Sequence, residues 1–165
     1  MKTTKLKKLN ACDDAIKWVR TQESPEDAWN NCERGDWMLW LARKLKIDDR
    51  LLTLAKATCA NQVQHLLTDQ RSIDALDACF RYAKGEITRE ELNVYAASAD
   101  AAAAAASASA SAADYAATAA AYYAAYAAAA DAYGARQESL KKSADICREI
   151  LTDVVLQKYK NYKNE

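Results

Sequence analysis

Of the 39 residues from Tyr95 to Tyr133, 25 are alanine, and neither glycine nor proline interrupts them. Alanine is the strongest helix former, so this stretch is expected to be helical rather than disordered. An alanine helix is apolar on most sides and is stable in water only when neighbouring helices cover it, which predicts an all-α bundle with the tract at its centre. As one helix from 89 to 133 it would reach about 67 Å, longer than a domain of this length is wide. A break is therefore expected, and the SASAS run at 107–111 is the best place for one, because serine side chains compete for backbone hydrogen bonds.

The polar residues of the tract are ordered. Asn93, Asp100, Ser107 and Asp114 recur every seven positions, as do Tyr115 and Tyr122, and Tyr126 and Tyr133. One flank is thus polar and another aromatic. The tyrosines are expected to wedge between helices with their hydroxyls at the rim. The alternative is a tyrosine-lined binding surface around Tyr122 and Tyr126.

The rest of the chain reads as helices joined by short loops, because β-branched residues do not alternate with polar ones over a useful length and only three Gly and one Pro serve the turns. A first helix is expected over 11–20, capped by Asn10 and following a basic N-terminal segment, 1–9. In SPED at 24–27, Ser24 caps a second helix, Pro25 occupies its first turn and Asp27 completes a capping box. Gly35 is expected to close that helix in the left-handed conformation, and Asp36 to cap the next. There Trp37, Trp40, Leu41 and Leu45 make one apolar stripe, so Trp37 and Trp40, like Trp29 before them, are expected in the core. A fourth helix is expected over 49–69 and a fifth from Ser72 to Gly85. Thr88 and Glu91 in TREE start the helix that leads into the alanine tract. A last helix over 136–158 precedes a polar tail, 159–165. At 165 residues all of this fits one domain.

No catalytic pattern emerges. His65 is the lone histidine, which excludes a two-histidine metal site within one chain, and it reads as a structural imidazole. The adjacent carboxylates Asp13–Asp14 and Asp48–Asp49 point about 100° apart on a helix and read as helix-start charges. The glycines at 35, 85 and 134 make no phosphate loop. Cys12, Cys32, Cys59, Cys79 and Cys147 never form a CxxC pair and read as reduced core hydrophobes. Neither enzyme activity nor a cofactor nor a metal is expected. The 23 basic side chains are matched by 23 acidic ones, so no net field draws nucleic acid or an anionic membrane. No apolar run has the length of a signal peptide or a span, so the chain is expected to be soluble, unprocessed and cytoplasmic.

The segment ACDDAIKWVRTQESPEDAWNNCERGDWMLWLARKL at 11–45 carries a set of recognisable features. They are Ala11–Cys12; Pro25, Glu26, Ala28 and Trp29; Cys32, Gly35, Asp36, Trp37, Trp40 and Leu41; and, in the last helix, Ala144, Asp145, Arg148 and Glu149. With the alanine-rich tract between them, they resemble the fifth-numbered group of immunity proteins from polymorphic toxin systems of bacteria and their phages. Tyrosines stand in the tract where that group has more Trp, Arg and Glu. The resemblance implies a cytoplasmic protein that neutralises a toxin or effector by stoichiometric binding. A phage-encoded inhibitor of a host defence protein or host enzyme is the alternative, and a structural alanine-rich protein a second.

The expected binding patch is acidic. Residues 11–36 hold seven carboxylates against Lys17, Arg20 and Arg34, a local excess of four that suits a basic nucleic-acid-cleaving toxin. Its candidate contacts are Glu23, Glu26, Glu33, Arg34 and Asp36.

Overall fold

The structure, a computed structural model, describes residues 3–62, 64–67, 69–99 and 137–162. Among the described residues there are eight α-helices and no strand, and the fold is all-α. They are α1 (Thr4–Lys8), α2 (Asp13–Val19), α3 (Pro25–Asn30), α4 (Gly35–Lys44), α5 (Asp49–Asn61) and α6 (Gln70–Lys84). To these are added α7, described over 89–99, and α8, described over 137–161. The chain divides into two compact units, Met1–Lys56 with Leu140–Glu165, and Ala57–Ser139. The part of the alanine tract from 100 on, including its expected break and Tyr122 and Tyr126, lies outside the described residues.

The first unit packs α1 to α4 and the start of α5 around α8. Its core joins Leu6, Val19, Trp29, Met38, Ala42 and Ala55 to Ala144, Cys147, Leu151 and Val155 of α8. These α8 positions fall at successive spacings of three and four, one stripe of a helix facing its neighbours. Two expectations for the ends of the chain are corrected here. The basic segment 1–9 contains α1, and Leu6 within it and Leu9 just after it are buried, while the expected tail begins with the buried Tyr159, the next turn of the α8 stripe. Lys5 ties the two together, its Nζ donating to the Tyr159 carbonyl at 2.9 Å.

Helix ends follow local chemistry, not always as expected. Ser24 caps α3: its Oγ accepts from the Asp27 amide at 3.0 Å and donates to the Asp27 carboxylate at 2.7 Å. Asn10 does not cap α2. It sits at φ 61° and ends α1, with its own amide on the Lys7 carbonyl and that of Ala11 on the Leu6 carbonyl, the paired bonds of a left-handed helix stop. Lys46, at φ 52°, ends α4 in the same way.

In the second unit the expected fourth helix stops at Asn61, and a short 3₁₀ turn, Gln64–Leu66, follows. His65 on that turn is exposed, which corrects its reading as a structural imidazole. α6 is capped by Asp69, whose carboxylate takes the Arg71 amide, three residues earlier than the expected start. Gly85 closes it at φ 83°, as its position predicts. Thr88 and Glu91 form a complete capping box for α7: the Thr88 amide donates to Glu91 at 2.7 Å and the Glu91 amide to Thr88 Oγ1 at 3.2 Å. Ala78, Tyr82, Ile87 and Leu92 form this unit's small core. No helix of the described residues is long and apolar enough to cross a membrane.

Candidate functional site

The site lies in the first unit, next to the junction of the α3–α4 turn with α8. α3 ends at Asn30 with its last carbonyls unused by the helix. Arg148 of α8 takes them up, its Nη1 donating to the Asn30 carbonyl at 3.2 Å and to the Cys32 carbonyl at 2.7 Å, while Nη2 pairs with Asp145. Trp29 Nε1 donates to Thr152 Oγ1 at 2.9 Å, which satisfies the indole of a buried ring.

Gly35 and Asp36 have different roles from those expected of them. Gly35 closes no helix: it is the first residue of α4, buried, and its backbone lies directly on Ser143 and Ala144 of α8. Asp36 is no N-cap either. Arg34 holds that position, and Asp36 in the first turn forms a two-point pair with it, Arg34 Nε and Nη2 donating to the carboxylate at 2.8 and 2.6 Å. The Arg34 hydrogen bond, first among the causes, holds the Asp36 carboxyl below the usual carboxylate range. The guanidinium also stacks on Trp37, 4.4 Å from the ring centroid. Burial pushes the neighbouring Cys32 thiol up.

Beside this junction α1, α2, α3, α4 and α8 leave an open apolar cleft of about 350 Å³. The chain has four tryptophans, and all of them, Trp18, Trp29, Trp37 and Trp40, line it. Trp29 is buried, as expected. Trp37 and Trp40 pack against the core, as expected, but are only half-buried and also wall the cleft, because the buried positions of α4 are Gly35, Met38 and Ala42. The stripe that faces α8 is set one position away from the tryptophan stripe, and the rings border the cleft instead. Trp18 of α2 packs against Trp37, with ring centroids 6.1 Å apart at 58°, and both rings line the cleft. Asn10, Cys12 and Asp36 line the cleft and are exposed. Cys12, unlike the buried Cys32 and Cys147, is therefore no core hydrophobe, and Cys59 and Cys79 are half-buried.

The acidic patch does not survive folding intact. α8 brings Lys160 to Glu26 at 2.8 Å and Lys141 to Glu33 at 3.1 Å. With Asp36 held by Arg34, only Glu23 of the expected acidic contacts stands exposed without such a pair among the described residues. Among the described residues no three His, Cys, Asp or Glu side chains converge as metal ligands do.

The sequence reading missed Asn10, Cys12 and Trp18 as site residues. The spacing of Trp18 on α2 signalled an inner face, but nothing local showed that this face would border an open cleft. No family model, curated protein or solved structure matches the chain.

Proposed function

We propose that this chain is a non-catalytic binding protein that inhibits one protein partner, a toxin, effector or defence protein, by stoichiometric occupancy, with the tryptophan cleft as the anchor site. The observation that carries the reading is the gathering of every tryptophan of the chain around one open cleft. Half-buried aromatic walls around a concavity that excludes water are where interfaces concentrate their binding free energy. The two-point Arg34–Asp36 pair at the cleft supplies a rigid polar edge of the kind that fixes orientation. The resemblance of the α3–α4 segment and α8 to immunity proteins supports the class of partner.

A plug tests this better than truncation does. Ala15 is half-buried in the cleft wall, so Ala15→Phe fills the cleft without removing a core ring. The tagged chain is expected to retain a specific protein from lysates of bacteria carrying toxin systems, and Ala15→Phe, with an unchanged melting temperature, to lose it. Inhibition of the captured protein should reach its end point at one chain per target. Full inhibition at a small fraction of that ratio, or capture untouched by the plug, rejects the reading.

A further inference from the structure

Three aromatic rings that line the cleft each carry a cation. Lys5 Nζ lies 5.1 Å from the centroid of Tyr159, the Arg34 guanidinium 4.4 Å from that of Trp37, and Lys44 Nζ 5.8 Å from that of Trp40. Two are already engaged, Lys5 by the Tyr159 carbonyl and Arg34 by Asp36. Lys44 is exposed at the end of α4 and has no ion-pair partner among the described residues. The one carboxylate that lines the cleft, Asp36, is held by Arg34. Asp13 and Asp14 are exposed in the first turn of α2 and do not line it, and Asp14 has Lys17 3.9 Å away. Lys44 does not line the cleft either, but its ammonium lies over Trp40, which does, so an occupant resting on that ring meets apolar walls and, beside them, a positive charge with no ion-pair partner among the described residues.

The size of the cleft narrows the choice further. At about 350 Å³ it lies at the lower end of ligand-sized clefts, ~300–1,000 Å³, and suits a side chain with its flanking backbone. Resting on the cleft as the binding site, we infer that the partner segment that enters it carries an aromatic-sized apolar side chain with a carboxylate beside it, the ring against the tryptophans and the carboxylate at Lys44. The partner surface at this point is acidic, opposite in sign to what the carboxylates of residues 11–36 suggest.

Three blocked dipeptides test the inference on the whole protein: acetyl-phenylalanyl-glutamate amide, its glutamine isostere and its lysine counterpart. None contains tryptophan, so a change in the chain's own tryptophan fluorescence reports occupancy directly. The glutamate peptide is expected to bind tightest, by roughly two- to fivefold over glutamine, as suits a half-exposed charge pair. Lys44→Gln should erase that margin, and Lys44→Glu should hand the preference to the lysine peptide, a reversal that a merely structural role for Lys44 does not produce. Equal binding of the three peptides, or a preference unmoved by Lys44→Glu, overturns the acidic partner and leaves the cleft as a binding site. Failure of all three to bind overturns both.

Discussion

The backbones of Gly35 and Ala144 touch. A Cβ placed on Gly35 would stand 2.8 Å from the Ala144 amide nitrogen and 2.7 Å from the Ser143 carbonyl carbon. These are backbone atoms of a helix and have no rotamer to yield, so Gly35→Ala must separate α4 from α8. The expected cost is about 1–3 kcal/mol, typical of overpacking, read as a lower urea midpoint with an unchanged slope. A variant as stable as the parent would show that the helices part easily here.

Arg148 is expected to matter through geometry rather than charge. Its one guanidinium serves the Asn30 and Cys32 carbonyls and the Asp145 carboxylate together. A lysine keeps the charge but has no planar fork. Arg148→Lys should lose about 1–2 kcal/mol because carbonyls at the end of α3 go unsatisfied. Asp145→Asn, on an exposed side of the same group, should cost far less, and a chemical-denaturation series on the two variants separates these effects.

The parts of the fold legible in the sequence are those set by neighbours a few residues apart. Ser24 with Pro25 and Asp27, Thr88 with Glu91, and Gly85 all sit where short-range spacing places them. The misreadings at Asn10, Gly35 and Asp36 arise because each residue's chemistry allows several roles: the end of α1 settles Asn10, Arg34 two residues away settles Asp36, and only Gly35 is settled by a distant segment. Gly35 suits a left-handed stop, but α8, more than a hundred residues later, requires its missing side chain. Likewise, the charges of residues 11–36 were countable, whereas the lysines of α8 that offset Glu26 and Glu33 were not assignable to them. The cleft was least legible, because an open space between helices leaves no pattern in any one of them.

Acid should reveal the Arg34–Asp36 pair. The folded-state carboxyl of Asp36 lies below its unfolded value, so its contribution is present above the usual carboxylate pKa and is lost as pH falls through the folded value. Since 45% of the side chain is exposed, solvent screening limits that contribution to about 0.5 kcal/mol. Asp36→Asn should therefore lower stability slightly at pH 7 and flatten the stability profile below about pH 4. A parent and variant that lose stability in parallel on acidification would contradict the pairing.

The five thiols should react in order of access. Cys12 is exposed, Cys59 and Cys79 are half-buried, and Cys32 and Cys147 are buried. Burial raises the Cys32 pKa, which further lowers its thiolate fraction near neutral pH. Under native conditions an alkylating reagent followed by mass spectrometry should label Cys12 first and Cys32 and Cys147 only on the timescale of unfolding. Because Cys12 also lines the cleft, a bound partner should slow its labelling without changing that of Cys59.

Charge reversal at Glu23 and at Glu33 should separate a surface contact from a structural pair. Glu23 is exposed with no ion-pair partner among the described residues, so Glu23→Lys should leave stability within about 0.5 kcal/mol of the parent. Glu33 faces Lys141 at 3.1 Å, and Glu33→Lys sets two ammonium groups against each other. Both side chains are more than half exposed, so the loss should be small, on the order of 0.5 kcal/mol, and should shrink with added salt. The decisive variant is the swap: Glu33→Lys with Lys141→Glu restores the pair in reverse and should recover the stability. If partner binding also returns in the swap, Glu33 acts only through Lys141. If stability returns while binding stays lost, the carboxylate of Glu33 is itself a contact, and the acidic surface of α3 and the turn after it belongs to the interface alongside the cleft.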